Sequence, residues 1–106
     1  MNIQISGNQV KIDNRLRSLV KNKISLKLDK LLSPFSPQYQ NASLHIRQQI
    51  KTKIFQVNFK ITLPPKKNLF ASTKHIKLES ALIDLEQQIE KQIKRYKESL
   101  APYSLG

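Results

Sequence analysis

At 106 residues the chain has the length of one domain, because two separate cores would each have fewer than about sixty residues and bury too little surface to be stable. Its apolar content of 39% is modest but patterned, which excludes wholesale disorder, and the lack of cysteine excludes a disulfide framework, a thiol nucleophile and a zinc knuckle. The excess of 19 Lys and Arg over 7 Asp and Glu, a net charge of +12, marks a binder of polyanions, either nucleic acid or an anionic membrane surface.

Met1 to Ser6 alternates, with Ile3 and Ile5 on one side and Asn2, Gln4 and Ser6 on the other, and reads as a short strand stopped by a turn at Gly7-Asn8. A backbone with positive φ is the simplest reason for a glycine there. Asp13 can cap a helix running to about Leu32, since Leu16, Leu19, Val20, Ile24, Leu28 and Leu31 recur at intervals of three and four. Ser33-Pro34-Phe35-Ser36-Pro37 ends it.

From Ala42 the period becomes two. Ala42, Leu44 and Ile46 share one face. Lys53 to Leu63 repeats the pattern, with Phe55, Val57, Phe59, Ile61 and Leu63 inward and Gln56, Asn58, Lys60 and Thr62 outward. Pro64-Pro65-Lys66-Lys67 makes a basic turn, and Leu69, Ala71 and Thr73 form the inner face of another strand. A long amphipathic helix begins near Lys77, carries Leu78, Leu82, Leu85, Ile89, Ile93 and Tyr96 inward, and ends before Pro102. The fold class is therefore α+β: a two-layer β-α-β-β-β-α arrangement in which two helices pack on one face of a four-stranded sheet and leave the other face wet. Residues 1–100 form the single domain and 101–106 a short tail.

Little in the chain suggests catalysis. His45 and His75 fall in different elements with no metal spacing, and Glu86 and Glu90 lie among i,i+4 partners on a helix face expected to be solvated. One internal glycine cannot build a phosphate-cradling loop. No metal, cofactor or small-molecule substrate is expected. There is neither a signal-peptide pattern nor an apolar run long enough to span a bilayer, so a reducing cytoplasm is the expected location.

The cations are more informative. Lys23, Lys27 and Lys30 form one ridge of the first helix, with Arg17 and Lys21 on its other flank. On the last helix Lys91 and Arg95 stack at i,i+4 beside Lys94 and Lys97, while Glu79, Asp84, Glu86 and Glu90 come earlier. Two such ridges predict a shared electropositive surface that neutralises phosphates with steep salt dependence. Phe70 alone among the strand aromatics has an outward phase, which favours contact with nucleic-acid backbone over base stacking. A membrane is the weaker reading, because both helices turn their apolar sides to a core.

The run Ile3-Gln4-Ile5-Ser6-Gly7-Asn8-Gln9-Val10-Lys11-Ile12, with Leu16-Arg17, Val20 and Lys23-Ile24 after it, resembles the opening of the ribosome hibernation factors. Leu69-Phe70-Ala71-Ser72, Leu78, Ala81-Leu82 and the stretch Leu85 to Lys97 are similar to that family's final strand and helix. The resemblance implies a non-enzymatic protein that occupies the small ribosomal subunit near the decoding region, in the channel of messenger RNA and tRNA anticodon ends, and silences idle ribosomes. It implies 16S-type ribosomal RNA as partner, with a ribosome modulation factor as candidate helper, and a monomer off the ribosome. Phosphate-contacting roles fall on Arg17, Lys23, Lys27, Lys30, Lys91, Lys94, Arg95 and Lys97. With nine residues after Lys97, the chain resembles the short form.

Two departures stand out. Lys77, Glu79 and Ile83 stand where the family has an acidic helix start, an aromatic and a later acid. The first helix is also one residue longer between Lys23 and Lys27, which in an α-helix would rotate the following lysines by roughly a hundred degrees. A general RNA-binding module of the same fold without the ribosomal site therefore stands as the alternative. An enzyme using the carboxylates of the last helix has no sequence feature that supplies a substrate.

Overall fold

The computed structural model describes residues 1–32, 41–63 and 67–100. The loop expected at Ser33 to Pro37, the Pro64 to Lys66 part of the basic turn and the tail 101–106 lie outside them. The strands are β1 (Asn2–Asn8), β2 (Asn41–Gln48), β3 (Phe55–Leu63) and β4 (Lys67–His75), in sheet order β1-β2-β3-β4. β1 pairs parallel to β2 because a helical crossover returns the chain to the same end, and the two later pairings are antiparallel. The expected four-stranded, two-layer β-α-β-β-β-α architecture is the one found.

The first helical rod has three continuous pieces: α1 (Asn14–Val20), a π-helical stretch Lys21–Ser25, and α2 (Leu26–Leu31). Asp13 caps it as expected, accepting a 2.9 Å bond from the Leu16 amide. The π stretch follows from the core spacing. Leu16, Val20, Ile24, Leu28 and Leu32, all buried, recur at strict intervals of four. In a pure α-helix each such step drifts by about 40°, so the stripe would wander by about 160° over its length. A π turn accommodates one residue more and takes back roughly a hundred degrees, which keeps the stripe on the sheet. The extra residue between Lys23 and Lys27 is thus absorbed locally, and Leu32 replaces the expected Leu31 as the fully buried end of the stripe.

The last helix, α3 (Leu78–Leu100), buries Ala81, Leu82, Leu85, Ile89, Ile93 and Tyr96 beside the inward rows of β3 and β4. α3 also covers the outer edge of β4: the side-chain amides of Gln88 and Gln92 donate to the carbonyls of Ser72 and Phe70. Open strand edges invite pairing with other chains, and these two bonds occupy this one.

Gly7 corrects the first expectation. β1 does not stop at Ser6, and Gly7 lies inside it without positive φ; Gln9 takes the left-handed turn instead, at φ 59°. Close approach explains the glycine, since a Cβ there would meet Ile12 Cδ1 at 3.0 Å and the Val10 carbonyl at 3.1 Å. Lys67 is likewise the first residue of β4 and not part of a turn.

Candidate nucleic-acid interface

The two helical rods run in the same direction. Lys23 Nζ pairs with Glu79 at 3.2 Å near one end, and Lys97 Nζ donates to the Leu31 carbonyl at 2.6 Å near the other. Parallel packing brings both C-termini to one end of the helix layer. Each macrodipole favours cations there.

Six of the eight expected contact residues share that end: Lys27 and Lys30 from α2, and Lys91, Lys94, Arg95 and Lys97 from α3. On α3 they form an arc, with Lys97 and Lys94 toward the first rod, Lys91 on the exposed side, and Arg95 toward β4. Arg95 lines a shallow cavity with Lys67, Leu69 and Gln92, so Lys67 extends the positive surface. Sequence reasoning missed Lys67, although its strand phase, shared with Leu69, points to the helix side. The other two residues are elsewhere. Arg17 lies toward β1, in a depression shared with Ile3, Ile5 and Lys21. Lys23 is paired with Glu79, one of the residues that depart from the family pattern.

The charges at this end are unequally available. Lys94 holds Glu90 at 3.0 Å, and Lys27 lies close enough to Glu86 and Glu90 to favour their ionised forms. Lys30, Lys91 and Arg95 are exposed and make no ion pair among the described residues. Glu98 follows three residues after Arg95 without pairing with it, again among the described residues.

Glu86 corrects the expectation of a solvated carboxylate face, being only 3% exposed. Burial pushes its carboxyl above the ordinary value of 4.5, and the hydrogen bond and charge of Glu90 add to that, against Lys27 and Lys94. Glu90 moves the other way, held down first by its bond to Lys94 and then by its bond to Glu86. A carboxyl raised in the folded state contributes stability fully below its unfolded pKa and loses it as pH rises through the folded value. Glu86→Gln is therefore expected to raise the melting temperature by roughly 3–8 °C near pH 7.5 and to leave it unchanged below about pH 4. Thermal unfolding followed by circular dichroism across that pH range checks this.

The remaining titratable cluster is structural. Asp84 accepts from Thr73 and Gln88 and lies 3.6 Å from His75, which together hold its carboxyl below the usual range and tie the start of α3 to β4. His45 is bonded to Ser6. Among the described residues no group of His, Asp and Glu could hold a metal ion.

The family model described as Sigma 54 modulation protein / S30EA ribosomal protein matches residues 3–101. The chain belongs to that family. Membership makes it a ribosome-associated binding protein and not an enzyme, as the resemblance implied. A comparison with curated protein sequences gave no match. Among solved structures, the N-terminal domain of Protein Y from Thermus thermophilus is similar, with TM-score 0.74 and 20% identity over 91% of this chain and 99% of that one. A ribosomal subunit interface protein from Coxiella burnetii superposes with TM-score 0.67 and 23% identity, covering 92% of this chain and 99% of its own. These likenesses establish the fold that carries the basic helix ends. No helix among the described residues is long and apolar enough to cross a membrane.

Proposed function

We propose that this chain is a ribosome hibernation factor of the cytoplasm. It binds the small ribosomal subunit in the channel used by messenger RNA and tRNA anticodon ends, and it inhibits translation in idle ribosomes by occupying that space. The family match over residues 3–101 carries the reading. The shared C-terminal end of the helices supports its finer part, because six cations at one end of a narrow body, 55 × 22 × 21 Å, suit insertion among the phosphates of a channel. Residues 1–100 serve as the binding unit, and 16S-type RNA is its partner.

Cosedimentation with purified small subunits tests this. Six phosphate contacts predict that log K falls with log salt at a slope of roughly −4 to −5. Absence of binding even at low salt overturns the proposal. The alternative of a general RNA-binding module draws on the Lys23–Glu79 pair, which neutralises one expected contact. Equal affinity for small subunits and for an unrelated structured RNA favours that alternative.

A further inference from the structure

The sheet face opposite the helices has its own chemistry. Across the four strands Gln4, Ser43, Lys60 and Phe70 lie side by side, followed by a row of Ser6, His45, Asn58 and Ser72 and a row of Asn8, Arg47, Gln56 and Lys74. No outward residue in these rows is acidic, in a face otherwise rich in amides and hydroxyls. The cations Lys60, Arg47 and Lys74 make the face complementary to an anion. Phe70 is the one large apolar group in these rows, 60% exposed, with Lys60 Nζ 5.7 Å from the ring centroid. Beside the ring is a shallow depression of about 580 Å³ lined by Ser6, Ser43, His45, Asn58, Lys60 and Phe70.

We propose that this face binds a segment of single-stranded RNA, with one unpaired base stacked on Phe70, an adjacent phosphate on Lys60 and a phosphate further along the strand on Arg47. A protein partner would need a broad apolar patch, and this face offers a single ring. A duplex is equally unsuited, because its bases are stacked on each other and a four-stranded face is too broad to enter the deep, narrow groove of duplex RNA. An unpaired strand uses each feature of the face: a π-surface for the base, amides for base edges, and spaced cations for the backbone. The site lies on the layer opposite the basic helix ends and does not depend on the ribosomal reading.

The test measures anisotropy of a labelled, unpaired oligoribonucleotide of about twelve nucleotides, alternating adenosine and cytidine, with the full chain. Phe70→Tyr is expected to bind like the parent, whereas Phe70→Leu, which keeps an apolar side chain but no ring, is expected to lose about tenfold. That ratio is expected to persist when Lys91→Glu and Arg95→Glu are also present, since those residues belong to the other layer. Because Phe70 is exposed, unchanged melting curves will confirm that both variants fold. The proposal is overturned if the single strand does not bind, if Phe70→Leu binds as tightly as the parent, or if a duplex of equal length binds as well and with the same losses. None of these outcomes bears on cosedimentation with small subunits, so the two proposals can fail separately.

Discussion

Reversing Lys91 and Arg95 together to glutamate is expected to weaken association with the small subunit by about thirty- to a hundredfold at roughly 0.1 M salt, and to flatten the salt slope by about two. Both residues are exposed and without an ion pair among the described residues, so their positive charge is available to phosphate. Lys94, by contrast, already neutralises Glu90 at 3.0 Å, and replacing it is expected to cost less. The proper comparator is Lys51→Glu with Lys53→Glu, which changes net charge equally in the turn between β2 and β3. That turn closes the end of the sheet opposite the Leu63–Lys67 pair, about 25–30 Å away along β3. Lys67 cannot serve, because it shares a cavity with Arg95. Cosedimentation of both double variants across a salt series decides the matter. Equal losses would mean that the total charge of the chain, and not its placement at the helix ends, holds it to the ribosome.

Deleting Asn22 is expected to leave the protein folded, with a melting temperature equal to or up to about 5 °C above that of the parent. Asn22 is an exposed residue of the π stretch. Without it the core intervals change from four successive fours to four, three, four and four, a pattern that a plain α-helix keeps on one face. The π turn and the deletion produce the same rotation, so Lys27 and Lys30 retain their direction and small-subunit binding is preserved. Deleting exposed Gln87 from α3 has the opposite consequence. The intervals from Leu78 to Tyr96 already fit an α-helix, and removing one residue turns Ile89, Ile93 and Tyr96 away from the sheet. The loss of that burial is expected to exceed about 4 kcal/mol and to abolish cooperative unfolding. Circular dichroism melts of the two deletions suffice. Failure of the Asn22 deletion to fold would show that the π stretch itself, and not the register it restores, is required.

Glu86 and Lys67 show how far local pattern could reach. In the helix period Glu86 follows Leu85 at the border of the apolar stripe, a position that either water or a neighbouring helix can cover. The first rod covers it, and no property of residues 78 to 100 announces that. Lys67 was legible in its strand phase, yet the adjoining Pro64-Pro65 pair gave it the character of a turn. For the ridge of α2, the extra residue was visible in the sequence as a rotation that would carry Lys27 and Lys30 out of place. What was not visible was the means of cancelling it, because a π turn is selected by the need to keep five buried side chains against the sheet.

Alternation and the three-four interval established the elements, their order and the inner row of each strand, because one-sided burial writes itself into the period of the chain. The tally of charge, with acids early and bases late in the last helix, likewise came directly from the residues. Only the tertiary structure decided that the rods lie parallel with their basic C-termini together, that Lys23 is paired with Glu79, and that Gly7 answers to a contact with Ile12 instead of a turn. The first two depend on distances between residues far apart in the chain, and the third on how closely the segment after β1 folds back on it. A local period carries no information about such distances until the core has closed around them.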